Sequence, residues 1–106
     1  MIKINPKILS IKNKIIETRR DFHKHPELAF NEKRTAAIVN EKLISWGINT
    51  KTNVGKTGVV GILKGTAGKG KTIALRADMD ALPLQETTSS SYKSIYDGIM
   101  HACGHD

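Results

Sequence analysis

Cysteine is nearly missing from this sequence, aromatics are scarce, and the first sixteen residues contain no acid. A single cysteine, Cys103, excludes an internal disulfide. A lone thiol among histidines fits a reducing compartment and a ligand or reactive role, so a cytoplasmic location is expected. Two Phe, two Tyr and one Trp offer no stacking series among the basic residues, and nucleic-acid grooves rely on such platforms. The net charge of +7 comes from lysines spread between Lys3 and Lys93 rather than from a block. No nucleic-acid partner is therefore expected. No apolar run approaches the ~20 residues of a membrane span. The early isoleucines are interrupted by Lys3, Asn5, Lys7 and Lys12, which argues against a secretory leader.

What is present is a globular pattern: 106 residues, 39% hydrophobic. That suits one small domain or a piece of a larger one, burying roughly 60–70% of its unfolded surface. Asn5-Pro6 reads as a helix start, an amide-capping side chain followed by a residue suited to the first helical position. Ile8, Ile11, Ile15 and Phe22 then recur at near-helical spacing up to about Lys24, and Pro26 closes the stretch. Its acid-free beginning also admits a membrane-surface helix, but packing on a sheet is the commoner use.

A second helix is expected from about Asn31 to Trp46. Asn31 would cap it, Ala36, Val39, Leu43 and Trp46 would form its buried stripe, and Gly47 would stop it. The period then shortens. Residues 48–53, 59–63 and 72–75 read as three strands, the last two joined as a hairpin through Gly65-Thr66-Ala67-Gly68-Lys69-Gly70. That turn lacks the Gly-Lys-Ser/Thr ending of a phosphate cradle. Leu84 to Tyr96 is polar and reads as an exposed loop.

Three places hold chemistry-bearing residues. His23 and His25 form a His-x-His near a helix end, a metal pair or a pair of structural caps. Asp78 and Asp80 follow a strand and would point the same way there, as a functional pair or as two solvated acids. His101-Ala102-Cys103-Gly104-His105-Asp106 gathers imidazole, thiolate and carboxylate, the donor types that borderline divalent metals take. His101 and His105 are four apart and could share a helical face. A buried thiol with surface histidines is the bland alternative.

Three segments occur here in order: Arg19-Arg20-Asp21-Phe22-His23-Lys24-His25-Pro26-Glu27-Leu28, Arg76-Ala77-Asp78-Met79-Asp80-Ala81-Leu82-Pro83 and Met100 through Asp106. Together they resemble the N-terminal part of the metallo-amidohydrolases that include hippurate hydrolases, N-acyl-L-amino-acid amidohydrolases and auxin-conjugate hydrolases. These form a subgroup of the aminoacylase and carboxypeptidase-like zinc peptidases. The resemblance runs from about Ile15 to Asp106. It implies an α/β fold in which residues 1–106 form an incomplete N-terminal part of the catalytic domain, two helices packed on a partial mixed sheet. The lid and dimerisation domain of such proteins would lie outside them.

By the same resemblance, Cys103 and His105 match ligands of a two-metal centre of zinc or manganese. Asp80 matches the acid that orients a metal-ligating histidine, and it is the residue of this chain assigned to the catalytic set. Asp78 stands where the wider family has a metal-binding histidine, so no ligand role is carried onto it. His101 and Asp106 match motif positions with a supporting role. The implied reaction is hydrolysis of the amide bond of N-acyl amino acids, with two metals polarising the carbonyl and acidifying a water. A downstream Glu-Glu pair would supply the base and a homodimer would form through the lid. These residues alone are expected to be inactive. The alternatives are a non-catalytic metal-binding or interaction module, and a di- or tripeptidase of the wider family.

Overall fold

The computed structural model describes residues 1–105. In chain order they form α1 (Pro6–Ser10), α2 (Lys12–Lys24), α3 (Lys33–Ser45), β1 (Asn49–Val54) and β2 (Gly58–Ile62).

The first helix begins as the sequence suggests. The Asn5 side chain accepts from the Lys7 N–H at 2.9 Å, with Pro6 in the first turn. It does not continue to Lys24 in one piece. The Ser10 hydroxyl donates to the Lys7 carbonyl at 2.7 Å, which is the acceptor that the Ile11 amide would use in an unbroken helix. Ile11 bonds Ile8 at 3.2 Å instead. A local side-chain bond of this kind competes with the helical ladder, and α2 restarts at Lys12. Ile8, Leu9, Ile11 and Ile15 stay exposed among the described residues.

The third helix is capped from a distance. Asn31 does not cap it; the Glu27 carboxylate does. One oxygen accepts from the Arg34 N–H at 3.0 Å, the other from the Thr35 N–H at 2.6 Å and the Thr35 hydroxyl at 2.7 Å. These are amides that a helix start leaves without intrahelical partners. Gly47, at φ +76°, ends α3 as expected. Its N–H reaches Ile44 at 2.9 Å and that of Ile48 reaches Leu43 at 3.0 Å, the paired closure of a Schellman turn. Ala36, Val39 and Leu43 are half-buried, but Trp46 is 67% exposed and lies off the stripe. It is the cap residue, already out of helical register.

The hairpin joins the first two expected strands, not the last two. β1 and β2 pair antiparallel, Asn49 with Ile62, Thr50 with Gly61 and Lys51 with Val60, with a register shift before Val54 meets Gly58. The turn falls at Gly55-Lys56-Thr57, where Asn53, Gly55 and Lys56 all take positive φ. Leu43 and Ile48 close over Gly61, whose missing side chain lets α3 lie on the hairpin. Residues 72–75 form no ladder among the described residues, and Ile73 and Leu75 are exposed.

Two single bridges add the mixed character. Leu28 pairs parallel with Ala81 and Leu82 pairs antiparallel with Met100. Ala81 is buried where they meet. The stretch from Leu84 to Tyr96 is not wholly exposed as expected, because Glu86 and Ser94 are buried.

Candidate metal centre

The two bridges bring the chemistry-bearing segments together. The Ala81 N–H donates to the Glu27 carbonyl at 2.8 Å. Leu82 and Met100 exchange backbone bonds of 2.9 and 3.1 Å. Paired strands lie roughly 5 Å apart. Asp80 directly precedes the bridged Ala81-Leu82 pair, and His101 directly follows the bridged Met100. Asp80 is half-buried. Asp78 instead turns outward, in an exposed ion pair with Arg76 at 2.8 Å. The two aspartates therefore differ in surroundings, Asp78 exposed and ion-paired and Asp80 half-buried.

Cys103 and His105 sit on one turn. Gly104 between them has φ +81°, a conformation that costs glycine little. Both flanking side chains are exposed. The His105 N–H donates to the Cys103 sulfur at 3.4 Å. Residues 101–105 are not helical, so His101 and His105 share no helical face. Asp106 lies outside the described residues.

The donors fit a divalent ion in kind. Sulfur and imidazole nitrogen on a glycine-hinged turn are donor types that borderline divalent ions such as zinc take. They fall short in number: among the described residues no group of three or more His, Cys, Asp or Glu gathers as a metal site.

The His-x-His pair does not act as one site. His25 places Nδ1 2.9 Å from the Asp21 carbonyl, at the end of α2. His23 is 6% exposed, and its Nε2 lies 2.9 Å from Glu86 Oε1. Its ring meets Tyr92 edge-on at 5.8 Å and His101 at 6.5 Å.

Glu86 is the residue that sequence reading missed most clearly. It is 3% exposed and accepts from the Ser94 N–H at 2.8 Å, from the Thr88 hydroxyl and from His23. Burial pushes its carboxyl upward, but the bonds from Thr88 and Ser94 and the neighbouring His23 outweigh that and hold it below the usual glutamate range. It is the one acid between Leu84 and Tyr96, a lone charge in a Ser/Thr-rich stretch, and that isolation was the available signal.

Residues 74–106 match the family model described as Peptidase family M20/M25/M40. The chain is 50% identical over 101 residues to the hippurate hydrolase of Campylobacter jejuni, covering 95% of this chain and 26% of that protein. The chain matches a fragment of the M20 peptidase family. The N-acyl-L-amino acid amidohydrolase of Geobacillus stearothermophilus is 46% identical over 96 residues, covering 91% of this chain and 26% of that protein. The crystal structure of a Bacillus subtilis protein, described as a dinuclear metal binding peptidase from the M20 family, superposes with a TM-score of 0.83 at 43% identity. That match covers 91% of this chain and 27% of the other. The chain thus spans about a quarter of the length of the relatives it matches.

Proposed function

We propose that this chain forms part of a metal-dependent amidohydrolase that cleaves the amide bond of N-acyl amino acids. The observation that supports the reading is the glycine-hinged Cys103–Gly104–His105 turn, in a chain 50% identical over 101 residues to a hippurate hydrolase.

Cys103 as thiolate and His105 as neutral imidazole would hold one or both of two divalent ions, zinc or manganese. Bound there, such ions supply polarisation of the acyl carbonyl and an acidified water. Asp80 accepts the N–H of a ligating imidazole supplied from elsewhere in the protein, fixing its tautomer and direction. The base that takes the water's proton also comes from outside these residues. Two donors do not hold a two-metal cluster, so residues 1–106 on their own are inactive in this reading. Dimerisation through a lid domain and a cytoplasmic location belong to the same proposal. Among the described residues, no helix is long and apolar enough to cross a membrane.

A peptidase acting on short peptides is the second reading, favoured by the description of the Bacillus subtilis structure. The test offers hippurate, N-acetyl amino acids and unblocked dipeptides to the protein made from its own gene, with zinc or manganese added. Turnover of the first two with little of the third is expected. Turnover of dipeptides alone replaces the reading by the peptidase. No turnover of any of them, with metal still bound, leaves a non-catalytic metal-binding module.

A further inference from the structure

The buried pair His23–Glu86 has no part in the chemistry described above, yet it lies under the segment that carries Cys103. Glu86 is tied at both oxygens. Oε1 takes the Ser94 N–H at 2.8 Å and faces His23 Nε2 at 2.9 Å; Oε2 takes the Thr88 hydroxyl. The loop between them is thus wrapped around one carboxylate. His23 stands on the last turn of α2, and the neighbouring Lys24 carbonyl accepts from the Ile95 N–H at 3.0 Å. The helix end therefore grips the loop at two points.

A carboxylate bonded to one ring nitrogen fixes the plane of an imidazole. Here the fixed ring meets both Tyr92 and His101, edge-on to the first at 80° and tilted to the second at 37°. Arg20 lies over the Tyr92 ring at 4.6 Å from its centroid. His101 is half-buried against His23, while Cys103 two residues later is exposed. The backbone of this run is tied to its neighbour only by the Leu82–Met100 bridge among the described pairings. An aliphatic residue at position 23 would fill the space but would leave Glu86 short of a donor and nothing to set a ring plane.

We infer that His23, oriented by Glu86, is a positioning residue that acts through His101 to hold the Cys103–His105 turn in its metal-binding form. The inference rests on the reading of Cys103 and His105 as ligands.

The test is zinc affinity, by competition with a chromogenic chelator, in the protein made from its own gene. His23→Gln keeps a donor for Glu86 but removes the ring against His101. A loss of about tenfold is expected, the low end of what outer partners of metal ligands cost. His101→Gln should lose a similar factor. The double variant should lose no more than His101→Gln alone, because both substitutions break one line of support. A purely structural role for His23 would lower the melting temperature of the metal-free protein and leave zinc affinity alone. Unchanged affinity in His23→Gln overturns the inference, as do losses that multiply in the double variant. Should His23→Gln not fold, Glu86→Gln serves in its place. It keeps the volume and one acceptor while freeing the imidazole, and the same loss should vanish in the His101→Gln background. Cys103→Ser separates the two claims. If it lowers zinc stoichiometry while His23→Gln binds normally, only the positioning role fails; if it leaves stoichiometry intact, the ligand reading fails and this inference with it.

Discussion

Replacing Glu27 by alanine should unpin the start of α3. Its carboxylate receives the Arg34 and Thr35 amides, seven and eight residues on, and the Thr35 hydroxyl. Loss of a helix cap costs about 0.5–2 kcal/mol, and a stranded buried donor about 1–3 kcal/mol. Thr35 is 3% exposed, so water cannot replace the lost acceptor there. The two costs overlap at Thr35, which puts Glu27→Ala at about 3 kcal/mol. Glu27→Gln keeps one carbonyl oxygen for the Thr35 bonds and forfeits the Arg34 bond, for about 1 kcal/mol.

Urea unfolding followed by circular dichroism reads both values, and the pH dependence adds a second check. Burial raises the Glu27 carboxyl, but the amide bonds from Thr35 and Arg34 and the Thr35 hydroxyl prevail, so it sits below its ordinary 4.5 when folded. A depressed carboxyl contributes stability that is full above the ordinary value and is lost as pH falls through the folded one. The gap between wild type and Glu27→Gln should therefore narrow on acidification below that point. A Glu27→Ala cost under about 0.5 kcal/mol, the level of an ordinary surface change, would refute the capping argument. So would a gap that widens with acid.

Three further outcomes are expected. Gly61→Val should cost about 1–3 kcal/mol by overpacking, because even a Cβ there would lie 3.1 Å from Ile48 and 3.2 Å from Leu43; thermal melts read it. Gly47→Ala should cost about 1 kcal/mol, since φ +76° suits glycine and space is not the obstacle, again by melting temperature. In the Asp21–Arg34 ion pair one guanidinium nitrogen reaches both carboxylate oxygens, at 2.9 and 3.1 Å, and the pair is half-exposed, so Arg34→Lys should cost no more than about 1 kcal/mol. The Arg34 guanidinium holds the Asp21 carboxyl below its ordinary value, so that contribution too should fade as pH falls through the folded value, which an acid titration of stability reads.

What could be read from the chain followed the range of the forces involved. Asn5-Pro6 and Gly47 act within a turn or two, and both did what their chemistry indicates. The break at Ile11 turned on which donor takes one carbonyl, a competition that spacing does not display. The hairpin was misplaced because the Gly-rich 65–70 stretch looks like a turn. The chain instead turns at Gly55 with Lys56, a lysine at φ +85° for which composition gives no cue. Glu27 and Glu86 work across seven to 63 residues of sequence, so nothing local marked them. At the site, the motifs picked out Asp80, Cys103 and His105 as residues. The bridges that bring their segments together, and the outward turn of Asp78, required the fold.

The most direct test of the account is hippurate hydrolysis by the protein made from its own gene, before and after removal of metal by a chelator, with metal content measured on the same sample. The account predicts that turnover disappears with the metal and returns in step with added zinc or manganese, and that Cys103→Ser recovers neither. Turnover that survives complete removal of metal, or that returns in full with Cys103 replaced, would contradict it.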